Sequence, residues 1–152
     1  MKILVDADSC PKPARELILR RAEKLSIRLI YAANRKIPAS EYAEMEICLS
    51  THNAADDRIV ELTESGDLVI TRDIPLAKRI IEKDAAVLDD RGRVFCKNNI
   101  NELLSLRNFS VALAENGLGI ERIANYGKKE LKRFADSLEK TLVKMRRQNQ
   151  LS

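Results

Sequence analysis

The 152-residue chain has no tryptophan, one histidine (His52), three cysteines and an aromatic content of only 4%. Each shortage closes a route. Cys10, Cys48 and Cys96 are odd in number, widely spaced and lack a Cys-x-x-Cys pair. They read as reduced, mostly buried thiols rather than a disulfide framework. With a single histidine beside them, ligands for a zinc site run out, so any metal must be held by oxygen. No apolar run approaches the roughly 18 residues that a membrane-spanning helix needs. The first residues run directly into a strand pattern, which argues against a secretory leader and for a cytoplasmic protein with no membrane partner. Scarce aromatic rings leave little for stacking on unpaired bases.

What is present describes an ordinary globular chain. Hydrophobic residues make up 45% and charged residues 33%, enough for one domain with a sizeable core. A formal charge of +4 and a pI near 9.0 tolerate a polyanionic partner without requiring one.

Strand and helix patterns alternate along the chain. The apolar run Ile3-Leu4-Val5 stops abruptly at Asp6 and Asp8, and Pro11 and Pro13 then suit the opening of a helix to Leu25, with Ser9 as its cap. A second strand spans Ile27–Ala32, an irregular stretch follows from Asn34 to Glu44, and a short strand is expected over Met45–Ser50. Ala55–Ser65 is helical with Gly66 as its stop. Leu68-Val69-Ile70 is a strand ending in Thr71-Arg72-Asp73, before a helix over Ile74–Lys83. Ala85–Leu88 is a strand, Asp89-Asp90-Arg91-Gly92 a turn and Arg93–Cys96 an edge strand. A helix capped by Asn98 or Asn99 runs to Glu115, ended by Gly117 and Gly119. Gly127–Arg147, with Leu131, Phe134, Leu138, Leu142 and Met145 at steps of three and four, is an amphipathic helix that packs on the domain or on a partner. Such alternation predicts an α/β fold with a mainly parallel sheet.

Carboxylates recur at equivalent places. Asp6 and Asp8 follow one strand with side chains expected on the same side, Asp73 follows another, and Asp56 with Asp57 opens the helix between them. Neighbouring strand ends in one sheet lie about 4.8 Å apart, so these acids can share ions. Mg²⁺ and Mn²⁺ take such hard oxygen ligands, with water and substrate phosphate completing the shell. The plainer alternatives are helix caps and first-turn residues for Asp56 and Asp57, and turn residues for acids after strands. Cys10, at a helix start, reads as a packing thiol, and His52 as a loop residue.

Val5-Asp-Ala-Asp-Ser-Cys-Pro11, Ala55-Asp56 with Ile59-Val60, and Gly66-Asp-Leu-Val-Ile-Thr-Arg-Asp-Ile-Pro-Leu-Ala77 together resemble the bacterial YaiI/YqxD family. Asp89-Asp-Arg-Gly92 and Phe134-Ala-Asp-Ser-Leu-Glu-Lys140 resemble its later landmarks. The family is largely uncharacterised and is grouped with PIN-like domains, whose characterised members are often metal-dependent nucleases. The resemblance implies a three-layer PIN-like fold over residues 1–152. A mainly parallel central sheet would be flanked by helices in a core of about 1–115, followed by a C-terminal helical extension of about 120–148. It implies metal and catalytic roles for Asp6, Asp8, Asp56 and Asp73, with Thr71 orienting a carboxylate or water. Asn53 and Asn108 stand where the family often has aspartate, and Asn53 can still ligate through its carbonyl oxygen.

The leading expectation is a nuclease or phosphodiesterase that uses Mg²⁺ or Mn²⁺ on RNA or another nucleic acid, with Lys12 or Arg72 steadying the phosphate. A second is an aspartyl-phosphate phosphatase with Asp6 as nucleophile, Asp8 as acid and Thr71 as phosphate ligand, although Ser-Cys-Pro follows Asp8 where Gly-Thr is expected. A third is a non-catalytic nucleic-acid- or protein-binding module. From Glu121 to Arg147 the chain carries Lys128-Lys129, Lys132-Arg133 and Arg146-Arg147, a run that is more often a solvated helix face than a binding stripe.

Overall fold

A computed structural model describes residues 1–37, 41–48, 53–117 and 125–150. Strands and helices follow one another as β1 (Lys2–Asp6), α1 (Lys12–Leu25), β2 (Arg28–Ala33), β3 (Glu44–Ile47), α2 (Ala54–Leu62) and β4 (Leu68–Ile70). Then come α3 (Ile74–Ile81), β5 (Ala86–Leu88), β6 (Val94–Phe95), α4 (Ile100–Glu115) and α5 (Lys128–Gln150). The strands form one sheet in the order β3-β2-β1-β4-β5-β6. All neighbours are parallel except β5 and β6.

β1 is central because its side chains are apolar on both faces, as a strand covered by helices on each side requires. Alternation sends Ile3 and Val5 to one face and Leu4 to the other. The first face packs with Ala14, Ile18 and Ala22 of α1 and with Phe134, Leu138 and Leu142 of α5. The second packs with Ile59 of α2, Leu76 and Ile80 of α3, and Ile100 of α4. The result is a three-layer α/β fold. The amphipathic last helix thus packs on the domain, with Arg21 of α1 bridging to Glu139 at 2.6 Å.

The order of strands creates the crevice. From β1 the chain steps outward through β2 to β3, then returns to lay β4 on the other side of β1. Ligands bind in open α/β sheets at this switch, outside the carboxyl ends of the strands. At the opposite end of the same two strands, the buried Lys2 ammonium meets the buried Asp67 carboxylate at 2.6 Å. Asp67 also accepts from the backbone N–H of Lys2 and Glu64, so its charge is satisfied in the interior. The sheet margins are guarded: on β3, Glu44 pairs with Arg28 at 2.5 Å and Glu46 with Arg58 at 3.3 Å, while β6 is only two residues long.

Some local expectations give way. Ser9 does not cap α1: Pro11 holds the cap position, and the Ser9 hydroxyl donates to the Asp6 carbonyl instead. α2 ends at Leu62, before Gly66, because Thr63 turns extended. Gly66, at φ +87, makes the later turn into β4. Asn99 sits at the start of α4 but bonds backward, its carbonyl oxygen accepting from Cys96 N and its amide donating to the Val94 carbonyl. β3 runs Glu44–Ile47, stopping before Cys48, and residues 49–50 of its expected span lie outside the described residues, as do His52, Gly119 and most of the loop before α5.

Candidate metal centre

Register places the first acid. Val5 pairs with Ile70, so the next residues, Asp6 and Thr71, come side by side where β1 and β4 end. The buried Thr71 hydroxyl donates to Asp6 Oδ2 at 3.0 Å and accepts from the Asp73 backbone N–H at 3.0 Å. One hydroxyl therefore fixes the carboxylate of one strand to the turn after the next.

Asp73 caps α3, its Oδ1 accepting from Leu76 N at 3.0 Å, ahead of Pro75 in the first turn. The capping role and a place in the site coexist, because a carboxylate has a second oxygen. Asp56 sits in the first turn of α2, on the same face of the sheet, close enough to feel the charges of Asp73 and Asp6. Burial, then the charges of Asp73 and Asp6, push Asp56 up to about 6, and Arg79 only partly opposes them. Burial likewise raises Asp6, against the bond from Thr71, and the charges of Asp73 and Asp8 add to the rise.

The structure thus brings Asp6, Asp56 and Asp73 together and leaves other expected residues at the margin. Asp8 does not share a strand face with Asp6, because β1 stops at Asp6 and the chain turns. Its exposed Oδ2 accepts from Asn34 N, beyond β2, at 2.8 Å. Asp57 points outward to Arg79 at 2.9 Å. Asn53 precedes α2 in the left-handed region, φ 68, which asparagine tolerates, and its side chain caps nothing. Lys12 is exposed, 3.9 Å from Glu16. Asn108 is exposed on α4, accepting from Arg107. Cys10 is buried, and burial pushes its thiol up to about 12, so it is a packing group rather than a thiolate.

Arg72 donates through Nε to Asp90, whose side chain is almost wholly buried. Asp90 was the residue hardest to find from sequence. Its pattern, a short apolar strand followed at once by acids, is the pattern that marked Asp6 and Asp73. Tyr126 holds the Asp90 carbonyl at 2.5 Å, and Asp89 accepts from the N–H groups of Arg91 and Arg93. Asp89 and Asp90 therefore build the turn that fixes Arg72.

Among the described residues no three acids, cysteines or histidines stand close enough together to hold a metal ion as they are placed. The donor set is nevertheless all carboxylate, the chemistry of Mg²⁺ and Mn²⁺. Such ions commonly use one or two carboxylates and fill their remaining positions with water and phosphate.

Comparison with known proteins finds relatives along nearly the whole chain. A UPF0178 protein of Treponema denticola is 46% identical over 151 residues, covering 99% of this chain and 97% of the relative. Another from Treponema pallidum is 42% identical over 149 residues, covering 97% and 84%. A third, from Syntrophobacter fumaroxidans, is 39% identical over 150 residues, covering 95% of each. No solved structure matches the chain. The family described as "Uncharacterized BCR, YaiI/YqxD family" matches residues 4–144, and the chain belongs to that family.

Proposed function

We propose that this protein is a divalent-metal-dependent phosphodiesterase acting on RNA or another nucleic acid, with Asp6, Asp56 and Asp73 as the residues that hold Mg²⁺ or Mn²⁺. One observation carries the reading: Asp6 and Asp73, tied to one another through the Thr71 hydroxyl, stand at the switch point of the sheet with the Asp56 carboxyl near enough to feel both charges. Like charges gathered in a half-buried place raise one another's proton affinity unless a cation intervenes. The arginines of the region are engaged elsewhere, Arg79 with Asp57 and Arg72 with Asp90.

A divalent ion held there supplies Lewis-acid polarisation of a phosphate and an activated water. The chain's own part is to hold and orient. Thr71 fixes Asp6 and occupies only one of its oxygens. Leu76 N fixes Asp73 in the same way. Arg72, anchored through Nε, keeps its other N–H groups for charge-assisted contact with a phosphate oxygen.

The test is Mn²⁺-dependent cleavage of single-stranded RNA by the purified chain. Asp6→Asn and Asp73→Asn should each lower the rate by on the order of a hundredfold or more, the scale seen when a charge-stabilising group is lost. Asp57→Asn should leave it unchanged. Full activity in both of the first two variants rejects the mechanism.

A further inference from the structure

A second charged feature lies one strand further along the same sheet edge. The β5–β6 turn carries Arg91 and Arg93, and α5 brings Arg133 beside it. With Asp89, Gly92, Asp136 and Ser137 these residues line an open cavity of about 520 Å³. Two facts make the arginines unlike a solvated run. They come from two separate elements and converge, and none of the three guanidinium groups has an ion-pair partner among the described residues. Two of the acids nearby are held by backbone donors and keep their charge. Asp89 is buried and accepts from two backbone N–H groups of its own turn. Glu130, which feels Arg91 and Arg133, accepts from Gly127 N at 3.0 Å. Asp136 alone lines the cavity with its carboxylate unbonded.

The scaffold under these arginines is fixed. Gly92 has φ +88, and a Cβ there would meet the Arg133 carbonyl oxygen at 2.6 Å, so turn and helix touch backbone to backbone. Ser137 donates to the Gly92 carbonyl at 2.7 Å. Donors held in place lose less freedom on binding.

We propose that this cavity is a phosphate-binding subsite that engages the backbone of a nucleic-acid strand at a phosphate removed from the acid cluster. Guanidinium forks match phosphate oxygens in pairs. No apolar side chain lines the cavity, so a membrane or an amphipathic helix finds nothing to bury there. The turn that bears Arg91 also bears Asp90, and Asp90 holds Arg72 next to Thr71 and Asp73. Both places lie at the carboxyl ends of the neighbouring strands β4 and β5, the acids toward α2 and α3 and the arginines toward α5, so one strand of nucleic acid that engages both passes over the end of the sheet. The choice of ligand rests on the phosphodiesterase reading; the geometry of the cavity does not.

Binding is measured without turnover, in EDTA, by anisotropy of a short fluorescein-labelled oligouridylate across a KCl series. The variant R91Q/R93Q/R133Q should bind severalfold more weakly and reduce the slope of log affinity against log salt by about two, since each phosphate contact on a single strand contributes about 0.7. The variant R20Q/K24Q/K36Q removes the same formal charge from exposed positions elsewhere and should lose less than half as much slope. Arg91→Gln and Arg133→Gln alone, each losing about 0.7, carry the test if the triple variant does not fold. An unchanged slope, an equal loss in the second triple variant, or equal competition by polyglutamate of matched charge overturns the proposal. A chain that binds in this way but never cleaves refutes the phosphodiesterase reading alone. One that cleaves with an unaltered slope in R91Q/R93Q/R133Q refutes only the subsite.

Discussion

Asp56 carries the sharpest conflict of any single residue. Its carboxyl stands at a helix N-terminus, where backbone dipoles favour the anion, yet burial and two neighbouring acids push it from the ordinary 3.8 up to about 6. The sign of the consequence is fixed. Between those two values the folded chain holds a proton that the unfolded chain has released, so this group stabilises the fold below 3.8 and loses that contribution as pH rises through about 6. In EDTA, Asp56→Asn should flatten that part of the Tm–pH curve and melt above the wild type near neutrality. A gain of a few degrees is expected, since ~1 kcal/mol shifts Tm by roughly 2–4 °C at this size. A variant melting lower near neutrality would show that the carboxylate is comfortable as an anion. Asp6, raised for the same reasons, adds to the wild-type slope.

At the scale of elements, the β5–β6 turn and α5 act as one body. Gly92→Ala forces a left-handed residue against the Arg133 carbonyl and should cost ~2 kcal/mol or more, by strain and by displacement of α5. Thermal unfolding of this variant against Gly66→Ala separates the two causes. Gly66 also has positive φ but open space around its Cβ position, so it should lose less. These elements also show what a reader of the sequence can and cannot see. Runs such as Ile3-Leu4-Val5 and Leu68-Val69-Ile70, and the stripe from Phe134 to Met145, give strands and helices because their periods are local. Asp6 and Asp73 were visible because both end such runs. The outward turn of Asp8, the Arg72–Asp90 pair and the convergence of Arg91, Arg93 and Arg133 were not visible. Each depends on which strands become neighbours, and no local period encodes the order β3-β2-β1-β4-β5-β6.

For the whole molecule, a ligand that binds only the folded chain stabilises it by mass action. Mn²⁺ at a hundred times its dissociation constant adds about 2.7 kcal/mol, which at roughly 2–4 °C per kcal/mol amounts to several degrees in Tm. Scanning calorimetry should show that rise in the wild type and most of it missing in Asp6→Asn; no rise in the wild type means that the acids do not share a cation. The layers have a further consequence for how the chain comes to be folded. Ile3 and Val5 finish packing only when Phe134, Leu138 and Leu142 arrive. Contacts so remote along the chain form late and slowly. On the ribosome, the part of that greasy side which α1 does not cover must therefore wait, exposed, until the last helix has been made. A nascent chain paused before α5 is a natural client for a chaperone.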